Sequence, residues 1–119
     1  MAWTPASARG LSRYDGSVPS IEQLERLLAV DPTDGFVLYG LAQEWAKRGE
    51  HERAVEYYRR AAAADTGNAY THFHLARSLE AMGDEDGARR ALKDGLAVAR
   101  RTGDAKAASE IAAYLGQLS

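Results

Sequence analysis

Apolar residues recur along the middle of the chain at the spacing of an α-helix. Between residues 36 and 47 they follow the i, i+3, i+4, i+7 pattern of one buried stripe, on Leu38, Leu41, Ala42 and Trp45. The polar residues around Gly49 interrupt this pattern, and Gly49 suits the left-handed conformation that ends a helix. A second stripe predicts another helix over residues 51–64, on Ala54, Tyr58 and Ala61. The two segments together predict a helical hairpin.

This hairpin pattern occurs twice. Five identical residue pairs are separated by 34 positions: Asp31 and Asp65, Leu41 and Leu75, Ala42 and Ala76, Gly49 and Gly83, and Ala54 and Ala88. In the second unit, Asn68 and Asp84 are predicted to cap the two helices. We therefore expect one repeat over residues 35–68 and another over residues 69–102.

Single helices are predicted at both ends of the repeats. Ser20 and Gln23 form a capping-box pattern ahead of a helix over residues 20–31, whose apolar stripe is Ile21, Leu24, Leu27 and Leu28. A capping helix is expected over residues 104–118, with a buried register on Ala108, Ile111, Ala112 and Leu115. The domain thus spans residues 20–118, and residues 1–19 form an irregular N-terminal segment.

The repeat resembles the tetratricopeptide repeat family, whose 34-residue unit packs small residues of two helices together. The matching residues are Leu41, Ala42, Trp45, Gly49, Ala54, Tyr58 and Ala61 in the first unit, and Leu75, Ala76, Leu79, Gly83, Ala88, Leu92 and Gly95 in the second. Leu38, Thr66 and His72 depart from the family pattern. The resemblance implies an all-α fold, a short right-handed α-solenoid of antiparallel helical hairpins.

Composition narrows the classes of partner. Fifteen Lys and Arg against 17 Asp and Glu give a net charge of −2, which offers no basic surface for nucleic acid. No apolar run is long enough for a membrane span, and the first ten residues lack the apolar run of a secretory signal. The chain has no cysteine, which is compatible with a reducing compartment. We expect a cytoplasmic protein that binds neither nucleic acid nor membrane.

Candidate catalytic and metal-binding residues are weak. His72 and His74 are two positions apart, so a helix turns their side chains about 200° from each other and they cannot share a metal ion. The acidic residues at positions 84–86 lack the other ligands of a calcium loop and suit the first turn of a helix. We therefore predict no enzyme activity, no cofactor and no metal.

The family resemblance implies that the first helix of each hairpin lines a concave surface. Seven residues are predicted to face it: Phe36, Tyr39, Gln43, Tyr70, Phe73, His74 and Arg77. Aromatic rings beside an arginine are typical of binding hot spots. Phe36 and Phe73 fit inter-repeat packing equally well, whereas Tyr39, Tyr70 and Arg77 are expected to be exposed.

Two functions are compatible with these residues. The first is a non-catalytic adaptor or assembly scaffold that binds a partner peptide or helix in its groove. The alternative is a structural protein that forms a homodimer through its open repeat ends. One binding mode of the family, a clamp for a C-terminal carboxylate, is disfavoured because Tyr39, Gln43 and His74 stand where it needs Lys and Asn.

The N-terminal segment has three possible roles. It carries Trp3, Leu11 and Tyr14 among Gly, Ser and Pro residues. It could cover the open side of the helix over residues 20–31, occupy the groove, or remain a disordered tail. The first is favoured because a helix without its hairpin partner leaves an apolar stripe exposed.

Overall fold

The computed structural model describes residues 19–118, which form six α-helices and no strand. The helices are α1 (Ile21–Val30), α2 (Gly35–Lys47), α3 (His51–Ala64), α4 (Ala69–Ala81), α5 (Glu85–Thr102) and α6 (Ala105–Gln117). Helices α2 and α3 pair as one hairpin, and α4 and α5 pair as the next. The fold is an all-α solenoid of helical hairpins, as predicted.

Local capping residues set where the helices begin and end. The predicted capping box is present, because the Ser20 hydroxyl accepts from the Gln23 amide and the Gln23 side chain accepts from the Ser20 amide. Asn68 and Asp84 cap α4 and α5 as predicted. The turns after α2, α4 and α5 contain glycines in the left-handed region, with φ of 77° at Gly49, 85° at Gly83 and 74° at Gly103.

Small residues bring the helices of each hairpin close together. Ala42 of α2 and Ala54 of α3 are both 0% exposed, and so are the corresponding Ala76 and Ala88 of α4 and α5. Larger side chains fill the space around them, chiefly Leu24, Leu41, Tyr58, Leu92 and Ile111. The buried residues form two clusters, a small one between α1 and α2 and a larger one from α2 to α6, and the half-buried Trp45 and Tyr57 pack against both.

One predicted core residue is misplaced. Ile111 of α6 is fully buried and Ala108 and Leu115 are half-buried, but Ala112 is exposed. The corresponding Ala42 and Ala76 are each covered by the second helix of their own hairpin. Within residues 19–118 no helix follows α6 to cover Ala112, so its predicted burial is wrong.

Two further expectations concern the N-terminal segment and the membrane. The proposed roles of Trp3, Leu11 and Tyr14 lie outside the described residues. None of the helices that the structure describes combines the length and the apolar character needed to cross a membrane.

Candidate partner-binding groove

Helices α1, α2, α4 and α6 border a row of cavities along one face of the solenoid, which we call the groove. Four cavities lie along it, with volumes from about 300 to 450 Å³. Each of the seven residues predicted from the sequence lines at least one of them: Phe36, Tyr39, Gln43, Tyr70, Phe73, His74 and Arg77. The structure therefore brings these residues to one face.

Aromatic side chains form a continuous row between α2 and α4. The Tyr39 ring centroid lies 5.9 Å from that of His74, which lies 5.5 Å from that of Phe73. The Phe73 centroid is 6.3 Å from that of Tyr70. All three pairs are edge-to-face, the arrangement that brings the positive edge of one ring to the negative face of the next.

The exposure of these rings differs from what the sequence suggested. Phe36 is 48% exposed, whereas Tyr39 and Tyr70 are half-buried. Phe73 is also half-buried, because its ring contacts those of its neighbours. Arg77 is exposed, as expected. The expectation that both tyrosines would be exposed is wrong: Tyr39 contacts the rings of Tyr58 and His74 on neighbouring helices, and Tyr70 contacts the ring of Phe73 on its own helix.

Tyr58 of α3 forms part of the groove floor, a role that the sequence did not reveal. Its ring is 1% exposed and stacks near His74, with a centroid distance of 6.3 Å. The Tyr58 hydroxyl donates to Gln43 Oε1 at 2.7 Å, and the Gln43 amide nitrogen donates to the Tyr39 hydroxyl at 3.1 Å. Burial raises the pKa of both tyrosines, so both are neutral phenols. This network fixes the orientation of three side chains at the groove.

Tyr114 of α6 is the second residue that sequence reasoning missed. Its ring centroid lies 5.4 Å from that of Phe73, and its hydroxyl donates to Glu80 Oε1. With Arg77 and Glu110 it lines a cavity of about 450 Å³ between α4 and α6. Its position three residues after the buried Ile111, beside the predicted stripe, was the available signal.

The two neighbouring histidines have separate environments. His74 lies in the aromatic row, and burial lowers its pKa, with a smaller contribution from the positive charge of Arg77. His72 lies against Gly95 of α5, and burial lowers its pKa too, although Asp94 opposes the shift. In the part of the chain that the structure describes, no three His, Asp or Glu side chains converge as metal ligands.

These histidines predict a pH-dependent stability. Between the lowered pKa of the folded state and the ordinary value of 6.5, the unfolded chain binds more protons than the folded chain. The free energy of unfolding is therefore expected to fall as the pH is lowered from about 7.5 to about 5.5. Urea denaturation at both pH values measures the change.

The matched comparison is the double variant His72→Gln and His74→Gln. Without the two imidazoles, the change in stability between the two pH values should become smaller. An unchanged pH dependence in the double variant would assign the effect to other groups.

Comparison with known proteins identifies the family. The family model of the tetratricopeptide repeat matches residues 46–110 of this chain. A TPR repeat-containing protein of Pseudomonas aeruginosa is 34% identical over 98 residues, which are 82% of this chain and 93% of that protein. The chain belongs to the tetratricopeptide repeat family.

Solved structures agree with this assignment. A tetratricopeptide repeat domain protein from Salinibacter ruber, 30% identical, superposes with a TM-score of 0.69 over 75% of this chain and 90% of that chain. PcrH of Pseudomonas aeruginosa, in complex with the chaperone binding region of PopD, superposes with a TM-score of 0.78 at 22% identity. That match covers 93% of this chain and 82% of the PcrH chain. At this identity it shows a shared fold.

Proposed function

We propose that this protein is a non-catalytic interaction module that binds a segment of a partner protein in its groove. The observation that carries the proposal is the row of rings from Tyr39 through His74 and Phe73 to Tyr70, with cavities on either side. The complex of PcrH with the chaperone binding region of PopD supports it, since that protein has the same fold.

The rings are well suited to binding because they are held in place before a partner arrives. Tyr39 is fixed by Gln43 and by its contact with His74, and Phe73 is fixed between His74 and Tyr114. A partner therefore loses little free energy to the ordering of these side chains. Half-buried aromatic residues of this kind supply a large share of the affinity at many interfaces.

The rim of the groove is charged, which indicates an amphipathic partner segment. Lys47 and Arg77 line the cavity between α2 and α4, and Glu80 and Glu110 line the cavity next to α6. Apolar side chains of a partner would contact the rings, and its polar side chains would meet this rim. The groove therefore favours a peptide or helix with one apolar face.

A selection from a random peptide library tests the proposal. Peptides displayed on phage are selected on the immobilised protein, and the enriched sequences are titrated as synthetic peptides by calorimetry. Tyr39→Ala, Tyr70→Ala and Arg77→Ala should each weaken binding by about tenfold or more if they are hot spots.

Two exposed arginines that line none of these cavities serve as controls, Arg59 of α3 and Arg90 of α5. Arg59→Ala and Arg90→Ala should leave the peptide affinity unchanged. A loss of affinity in these variants, with normal affinity in the three groove variants, would place the binding surface outside the groove.

Self-association is the competing function. The molecular mass in solution distinguishes it from peptide binding by a monomer. Light scattering over a range of concentrations should give a monomer whose groove is open to peptides. A tight dimer that dissociates in the Tyr70→Ala variant would instead favour the homodimer.

A further inference from the structure

One cavity of the groove combines aromatic rings with a carboxylate. It has a volume of about 370 Å³ and lies between α2 and α4, next to the turn that joins α3 to α4. Its walls include Phe36, Tyr39, Tyr70 and His74, together with Asp65 and Asn68 of the turn. We call it the turn cavity.

The aromatic rings that line the turn cavity belong to the groups over which cations bind. The faces of phenyl and phenol rings carry negative electrostatic potential, and cations bind over them, most strongly where water is excluded. His74 adds no positive charge at neutral pH, because burial lowers its pKa and keeps its imidazole uncharged. Tyr39 and Tyr70 come from different helices, so the cavity offers aromatic groups on more than one side.

The charged side chain that lines the turn cavity also favours a cation over an anion. Among the described residues that line it, Asp65 alone carries a charge at neutral pH. The Gly67 amide donates to Asp65 Oδ1 at 3.2 Å, which holds the carboxylate in place. Burial raises the pKa of Tyr70, and the negative charges of Glu110 and Asp104, which do not line the cavity, raise it further.

Nearby positive groups do not line the turn cavity. Arg77 lies close enough to lower the pKa of His74, but it lines the two neighbouring cavities instead. Arg60 donates to the Pro32 carbonyl oxygen at 3.4 Å, and Arg101 donates to the Thr66 carbonyl oxygen at 2.6 Å. Neither arginine lines the turn cavity. Both guanidinium groups therefore bind backbone oxygens of the turns, outside the cavity.

The helix N-termini beside the turn cavity do not make it an anion site. Asp34 Oδ1 accepts from the amides of Phe36 and Val37 at the start of α2, at 3.0 and 3.2 Å. Asn68 Oδ1 accepts from the Tyr70 amide at the start of α4, at 3.1 Å. These first-turn amides, which would otherwise attract an anion, are already occupied.

We propose that the turn cavity binds a cationic side chain, a lysine or an arginine, of the partner segment. The inference rests on the proposed function, since the cation belongs to a peptide bound in the groove. The ammonium or guanidinium group would lie against the rings of Tyr39 and Tyr70 and be neutralised by Asp65. The cavity would then fix the register of the segment, because one basic residue must align with it.

A pair of small probes of equal shape tests the cavity directly. Choline carries a quaternary ammonium group, and 3,3-dimethylbutan-1-ol is its neutral carbon analogue. Both are titrated into the 119-residue chain and followed by amide chemical shifts of residues around the cavity, such as Gly35, Gly67 and Tyr70. Choline is expected to bind at least about fivefold more tightly than the neutral alcohol.

Asp65→Asn provides the matched variant, because an asparagine oxygen can still accept from the Gly67 amide. It should weaken choline binding by about fivefold or more and leave binding of the alcohol unchanged. Glu52→Gln removes one negative charge from an exposed position of α3 and should change neither. Equal affinity for the two probes, or choline binding that is insensitive to Asp65→Asn, would overturn the inference.

The selected peptides separate this inference from the proposed function. The lysine or arginine residues of these peptides are replaced one at a time by norleucine. At one position the replacement should weaken binding to the parent protein, and should weaken binding to the Asp65→Asn protein much less. If peptides bind in the groove and no such position exists, the cationic site is wrong and the proposed function stands. If no peptide binds in the groove, the proposed function fails, and the choline titration still decides what the cavity binds.

Discussion

Tyr58→Ala is expected to lower the free energy of unfolding by about 3–5 kcal/mol, the usual cost of truncating a fully buried aromatic residue. The Tyr58 ring of α3 is 1% exposed and packs against α2 and α4. Its removal therefore leaves a cavity at the junction of the two hairpins. It also removes the hydrogen bond to Gln43 Oε1. Urea denaturation followed by circular dichroism measures the loss.

Tyr58→Phe separates the ring from its hydroxyl. This variant keeps the packing and loses only the hydrogen bond to Gln43, so the expected loss is about 0.5–1.5 kcal/mol. Equal losses in the two variants would mean that the polar network, and not the packing of the ring, stabilises this junction.

Gly95→Leu is expected to lower the free energy of unfolding by about 2–3 kcal/mol, in the upper part of the range for overpacked cores. A Cβ atom at Gly95 would lie 2.7 Å from His72 Cβ and 3.2 Å from Ile111 Cδ1. His72 Cβ is attached to the backbone of α4 and cannot rotate away, so α4 and α5 would have to separate. Thermal and urea denaturation measure the change.

Gly116→Ala is the matched control for this prediction. Gly116 is also in a helix, but a Cβ atom there would meet nothing within 4 Å. Alanine should therefore stabilise α6 by up to about 1 kcal/mol through its higher helix propensity. If Gly95→Leu were as stable as the parent, the close approach of α4 and α5 at this point would be wrong.

The roles of Tyr58 and Tyr114 in the groove could not be predicted from the sequence. Tyr58 was correctly placed on the buried face of its helix, but its hydroxyl reaches Gln43 across the interface between α2 and α3. Tyr114 reaches Phe73 and Glu80 of another helix. Neither contact leaves a pattern within one helix, since helical periodicity reports which face is buried and not what lies opposite.

Asp65 illustrates the same limit for the turn between α3 and α4. Its match with Asp31 helped to define the repeat, and both residues make a local hydrogen bond in their turns, to Gly67 and Thr33 respectively. That Asp65 also lines a cavity with Tyr39 and Tyr70 depends on the position of α2 relative to α4. The turn at Asp65 could be predicted from the sequence, but the residues of other helices that lie next to it could not.

The repeat, the hairpins and their capping residues were predicted correctly from the amino-acid sequence. The signals for these features are local: a stripe of apolar residues, a glycine with positive φ such as Gly49, or a capping residue such as Ser20 acts within about one helical turn. The packing of the helices was needed to show which aromatic rings meet. It was also needed to show that Ala112 is exposed although Ala42 and Ala76 are buried. These outcomes depend on which helix packs against each face, and so on residues far apart in the chain.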